Sequence, residues 1–134
     1  MFRIIERTTI RQVTTEDLQR YHELCIAENW GIGFDRIQRM VETCPTGFWC
    51  ADIGSKGVVS FCGCYDIGDN TAVVTSYVTD KQYRGKGIGR EVFSKAIRNG
   101  HTLIGSQFHF YVIIILHTNS YNVRHNVRFR IARR

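Results

Sequence analysis

Several features that would assign this chain to a special class are missing. Its five cysteines, at positions 25, 44, 50, 62 and 64, include no CxxC pair of the kind zinc sites are built from, so no metal is expected. Their odd number reads as a reducing, intracellular compartment, with the cytoplasm as the expected location. The longest apolar run, FHFYVIIIL from Phe108 to Leu116, contains a histidine and falls far short of the roughly 20 residues that span a bilayer. The N-terminal stretch MFRIIERTTIRQV carries Arg3, Glu6 and Arg7 and lacks the apolar core of a signal peptide. No membrane association is expected. Internal repeats and low-complexity linkers are absent too, so the 134 residues read as one domain, 1–134.

Acidic residues are missing from one whole section. Residues 101–134 hold no Asp, Glu or Lys but five arginines, Arg124, Arg128, Arg130, Arg133 and Arg134. The net charge of +6 therefore belongs mostly to this tail, because residues 1–100 hold 13 basic against 12 acidic side chains. Clustered arginine suits phosphate neutralisation. Without interleaved aromatic pairs it reads as a solvated end, and nucleic acid is not the expected partner.

The rest of the composition, 43% hydrophobic and 22% charged, is that of an ordinary globular protein. Ile4 to Val13 is predicted as a strand by its Ile, Thr and Val content. Thr14 and Asp17 have the spacing of a capping box, and Leu18, Tyr21 and Cys25 recur at helical spacing, predicting a helix from Glu16 to Ala27. A second helix is expected from Asp35 to Cys44, ended by Pro45 and Gly47. Strands follow at Phe48–Ile53, Val58–Tyr65 and Thr71–Val78, joined by Gly54-Ser55-Lys56-Gly57 and Gly68-Asp69-Asn70, which makes an antiparallel meander. Cys62 and Cys64, two apart in a strand, share a face and are expected to pack as small hydrophobes. A helix over Gly89–Asn99, closed by Gly100, precedes a strand starting at Thr102–Ile104.

Between the last meander strand and that helix lies Arg84-Gly85-Lys86-Gly87-Ile88-Gly89. In such a turn successive backbone N–H groups and the unpaired amides of a helix N-terminus converge on one point, which suits a diphosphate, and glycine permits close approach. Lys86 and Arg90 add positive charge. Spacing excludes two common phosphate loops. The residue five before Gly85, which a P-loop requires as glycine, is Asp80, and the position that would complete a dinucleotide fingerprint after Gly85 and Gly87 is Arg90.

The run YRGKGIG resembles the acetyl-CoA motif [RQ]xxGx[GA] of the GCN5-related N-acetyltransferases, with Arg84, Gly87 and Gly89 in the defining places. The order of elements before it is similar as well, and Glu28-Asn29-Trp30 and Pro45-Thr46-Gly47-Phe48 resemble members carrying ExW and PxGF. The resemblance covers residues 10–105. It implies an α/β (α+β) fold with a mixed, mostly antiparallel sheet flanked by helices. It implies acetyl-CoA as cosubstrate, a small-molecule or protein amine as acceptor, and acetyl transfer between them. By the same resemblance Val78 and Thr79 hold the pantetheine arm through their backbone, and the segment Arg84, Gly85, Lys86, Gly87, Ile88, Gly89 and Arg90 holds the pyrophosphate.

The catalytic residues are left unassigned. The family's base is often a Glu on or near the fourth strand, but Thr71–Thr79 contains no carboxylate. Glu28, Asp66 and Asp69 remain as distant relay candidates, with surface solvation the expected role of each. Tyr121 stands where the family's acid Tyr would be, without the helix that should carry it. The family-like sequence is expected to stop near Gly105, as alternative splicing or a gene-model error would produce, leaving the C-terminal elements incomplete. Phe108–Leu116 can still pair as a strand. The competing reading is a catalytically impaired, acyl-CoA-binding isoform or regulatory form. Oligomeric state is not legible.

Overall fold

The computed structural model describes residues 7–68, 71–104, 109–115 and 122–125, with side chains described for 7–65 and 72–100. β1 spans Thr9–Gln12; of the longer strand expected from the sequence, residues 4–6 lie outside the described residues. Val13 already leaves the strand, its N–H donating to Phe48 O at 2.9 Å. The Thr14/Asp17 capping box forms as the spacing predicts and opens a one-turn 3-10 helix, Thr15–Asp17, which runs into α1, Leu18–Ala27. Asp17 is also held by the Arg11 guanidinium at 2.7 and 2.9 Å, tying the helix start to β1.

α2 spans Phe34–Thr43, and β2, β3 and β4 span Phe48–Asp52, Val58–Gly68 and Thr71–Thr79. These three strands pair antiparallel in sequence order, the expected meander, with β1 on the outer edge of β2. β5, His109–Ile115, adds to β4 in parallel, and β6, Asn122–His125, pairs antiparallel with β5. The β-branched run after Gly105 therefore does enter the sheet.

α3 departs from its expected length. It runs Ile88–Ile104, straight through Gly100, so the strand expected at Thr102–Ile104 is helical. Gly100 is buried within the helix. A glycine inside a helix costs only about 1 kcal/mol against alanine, and propagation across it adds a hydrogen bond for each further residue. Buried packing overrides the stop signal.

The sheet separates two apolar layers. On one face Leu18, Tyr21, Leu24 and Cys25 of α1 and Ile37 and Val41 of α2 pack on Phe48, Cys50, Phe61 and Val78. On the other Val92, Ala96 and Ile97 of α3 pack on Ala51, Val59, Cys62, Cys64, Ala72 and Val74. Cys62 and Cys64 thus share one face, as expected, and burial pushes the Cys64 thiol up to about 12. Burial likewise raises Cys25 and Cys50 to about 12, so these groups stay as neutral thiols and fill space. Among the described residues no helix is long and apolar enough to cross a membrane, and there is no fourth α-helix.

Candidate acetyl-CoA site

Strand β4 is irregular where the site begins. Gly63 of β3 faces Thr75 and Phe61 faces Val78, so Ser76 and Tyr77 together oppose Cys62. This is a β-bulge, and Ser76 adopts the left-handed region with φ +51°. One extra residue reverses the facing of everything after it. Before the bulge Ala72 and Val74 face α3; after it Val78 faces α1 and α2, while Tyr77 turns to α3 and meets Phe93 edge-on at 5.3 Å.

The carbonyl the bulge takes out of the ladder is satisfied from the other layer. Tyr21 Oη, fully buried, donates to Ser76 O at 2.7 Å, and its ring stacks on Phe61 at 4.1 Å. Burial drives the Tyr21 phenol well above its ordinary value, keeping it a neutral donor. Tyr21→Phe leaves that carbonyl unpaired, and an expected loss of about 1–3 kcal/mol of stability, read from denaturant midpoints, should come with weakened acetyl-CoA binding. Unchanged values for both would remove Tyr21 from the support of the site.

Pairing of β4 with β5 runs from Thr71↔His109 to Val74↔Val112, ending just before the bulge. Beyond it the β4 edge opens into a cleft of about 690 Å³. Backbone alternation decides what faces that edge. Asp80 N donates to Val59 O at 2.8 Å, so the neighbouring pair Ser60↔Thr79 has its backbone groups turned outward and those of Val78 turned towards Phe61. Consistent with this, Thr79 O is reached from outside the ladder by Arg84 Nε at 3.0 Å.

After β4, Asp80 organises the turn. Its carboxylate accepts from Gln82 N at 3.0 Å and from Arg20 at 2.7 Å, and its carbonyl accepts from Tyr83 N at 2.9 Å, closing a short 3-10 turn at Lys81–Tyr83. The chain then passes Gly85 and Gly87 at φ +78° and +82°, values that side chains rarely adopt. Gly87 O accepts the first α3 bond, from Glu91 N, and the amides of Ile88, Gly89 and Arg90, the first turn, have no backbone partner among the described residues. Gly89 serves close packing. A Cβ there would sit 2.6 Å from Tyr77 Oη and 2.7 Å from Thr79 Oγ1, so any side chain would make these two hydroxyls shift away from the start of α3.

Eight of the nine residues the sequence nominated line this cleft: Val78 and Thr79, Arg84 and Gly85, and Gly87 through Arg90. Lys86 does not; its ammonium lies over the Tyr83 ring, 5.3 Å from the centroid. The wall also includes Glu28, Trp30, Tyr77 and Tyr83, none of which was nominated as cofactor-binding. Burial raises the Tyr77 phenol, with Cys62 adding to the rise and Arg90 opposing it.

Glu28 corrects its expected surface role. It is 5% exposed and ion-paired with Arg84. A Schellman-type end to α1 puts it there: Asn29 takes φ +58°, Trp30 N donates to Cys25 O and Asn29 N to Ile26 O. The same turn carries Trp30 to the cleft wall, where its buried Nε1 has no hydrogen-bond partner among the described residues. The side chain of Asp66, and the whole of Asp69 and Tyr121, lie outside the described residues. No group of three or more His, Cys, Asp and Glu able to hold a metal is found among the described residues.

A glycine-turned strand-to-helix connection, a bulged strand whose edge is open among the described residues, and a mixed sheet of six described strands together define a class that comparison with known proteins identifies. The model of the acetyltransferase (GNAT) family matches residues 10–124, and the chain belongs to that family. The match runs past Gly105, where the composition changes. A search of curated proteins finds no match.

Solved structures share the fold at low identity. An acetyltransferase of the GNAT family from Staphylococcus aureus superposes with a TM-score of 0.68 at 19% identity, over 81% of this chain and 74% of that one. A Mycobacterium tuberculosis protein solved in complex with CoA gives 0.68 at 16%, over 80% of this chain; the matched part is 64% of that protein's length. The Salmonella typhimurium protein yncA, solved with its cofactor acetyl-CoA, gives 0.64 at 16%, over 79% and 69%.

Proposed function

We propose that this chain is an acetyl-CoA-dependent N-acetyltransferase, a single domain acting on a small-molecule or protein amine. The observation that carries the reading is the conjunction of Gly85 and Gly87 at positive φ with the unpaired first-turn amides of α3, at the mouth of a cleft beside the open edge of β4. Aligned amides with the helix dipole behind them favour a diphosphate. Arg84 and Arg90 line the same cleft, and Lys86 adds positive charge from outside its wall. Of the two strand residues the resemblance names, Thr79 is the one whose backbone faces outward to the pantetheine arm, and Val78 contributes its position in the wall.

Acetyl-CoA supplies a thioester carbonyl. The acceptor nitrogen attacks it as the neutral amine, a C–N bond forms, the C–S bond breaks, and the leaving thiolate takes up the proton that the acylated nitrogen sheds. A lysine-like ammonium has a pKa near 10.4, so a proton must be removed before attack. Glu28 is the one carboxylate in the described cleft wall. Its carboxylate is engaged by Arg84, and we assign it to positioning Arg84 and the α1–α2 turn.

The family match to residue 124 and the entry of β5 into the sheet favour the enzyme over the acyl-CoA-binding form without turnover. A reducing, cytoplasmic setting is our reading of the five unpaired cysteines, four of them buried. The test is incubation with acetyl-CoA and a panel of amines, with N-acetylated product read by mass. Turnover of at least one amine is expected. Tight acetyl-CoA binding without product from any amine would instead establish the binding-only form.

A further inference from the structure

We propose that a second cleft, between α2 and β3, takes an oxyanion, a carboxylate or phosphate, borne by the amine acceptor; this rests on the acetyl-transfer reading above. Arg36, Arg39, Met40 and Thr43 stand at helical spacings of three and four and form one face of α2, distinct from the Ile37 and Val41 face that enters the core. Opposite them is Tyr65 of β3. The space enclosed, about 670 Å³, is large enough for a small metabolite. Its floor is apolar, since Met40, Cys44 and Tyr65 are half-buried against the α1–α2 core.

Two guanidinium groups over an apolar floor suit an amphiphilic anion: the forks bind carboxylate or phosphate in pairs of parallel hydrogen bonds, and the stem of the ligand covers the floor. The cations are available. Arg36 has no carboxylate partner among the described residues. Arg39 pairs with Asp35 at 3.3 Å, but both side chains are more than 70% exposed, and such a pair is readily exchanged for a ligand. Nor can residues 101–134 supply a counter-ion from a side chain, since they hold no Asp or Glu. A ligand oxyanion would complement these two cations.

Position links this cleft to the chemistry. Tyr65 pairs with Val73, three residues before Ser76, which places the cleft about 10 Å along β4 from the bulge at a rise of roughly 3.3 Å per residue. Both clefts meet the α1–α2 layer, the first through Glu28 and Trp30 and the second through α2 itself. An acceptor whose amine and oxyanion are separated by about that distance would engage both.

The experiment compares three acceptors of matched length, an amino-carboxylate, an amino-phosphonate and the neutral methyl ester of the first, with the wild type and with Arg36→Gln/Arg39→Gln. The wild type should prefer the anionic acceptors. In the double variant their KM should rise about tenfold or more, with kcat and the ester's KM nearly unchanged. The preferred anion distinguishes a carboxylate from a phosphate source. Equal KM for ester and anions in the wild type, or an unmoved KM in the variant, would overturn the proposal. Glutarate and inorganic phosphate, titrated by NMR against protein saturated with acetyl-CoA, give a readout independent of turnover. Binding lost in the double variant supports the cleft even if no amine is acetylated, which would sink only the acetyl-transfer reading; binding of neither anion sinks the cleft.

Discussion

Gly87→Glu should abolish acetyl-CoA binding, lowering the affinity in calorimetric titration by about a hundredfold or more. Two effects add. Gly87 stands at φ +82°, where an L side chain is strained by roughly 1–2 kcal/mol. A carboxylate at the helix N-terminus then repels the diphosphate the amides would otherwise hold. At 1.4 kcal/mol per factor of ten, strain that the unliganded turn escapes by relaxing accounts for at most about tenfold, and the charge supplies the remainder. Gly87→Ala separates the two, because a Cβ there meets nothing within 4 Å and only the backbone strain applies. Wild-type affinity in the Glu variant would remove the proposed diphosphate site altogether.

The second large effect is on stability. Gly63 lies on β3 opposite Phe48, and a Cβ there would stand 2.2 Å from Phe48 Cε1, with two further ring atoms within 2.8 Å. Phe48 is fully buried and cannot swing into solvent. Gly63→Ala is therefore expected to cost about 3 kcal/mol, the upper end for overpacking a filled core. Shrinking the ring should relieve it: Phe48→Leu combined with Gly63→Ala should cost less than the sum of the two single changes, because the residues share one space. Urea unfolding of all four proteins gives the cycle. Strict additivity would mean that the clash is absorbed elsewhere.

Much of this fold was legible because its signals are local. Thr14 and Asp17 announced the start of α1, Gly54 through Gly57 marked the β2–β3 connection, and β-branched runs marked the strands. Local signals also misled. Gly100 has the appearance of a helix stop, yet α3 continues through it because the glycine is buried there. Glu28 read as a solvated carboxylate, since nothing within a few residues of it reveals that Arg84 lies 56 positions along the chain and against it in space. Tyr77 gave no signal at all. Its direction depends on the bulge, and a period-two reading of β4 would have turned it to the other face.

The glycine turn proposed to hold the diphosphate was legible in the sequence alone. Its requirements are positive φ at Gly85 and Gly87 and a helix start immediately after, and both are properties of a few consecutive residues. Only the tertiary structure decided what stands around that turn. Tyr21 reaches across 55 positions to hold Ser76, the bulge reverses the facing of Tyr77 and Thr79, and the Schellman end of α1 brings Glu28 and Trp30 to the cleft. The physical reason is the range of the forces involved. Backbone conformation follows from neighbours in sequence, whereas burial, ion pairing and strand phase follow from contacts that exist only once distant segments have packed.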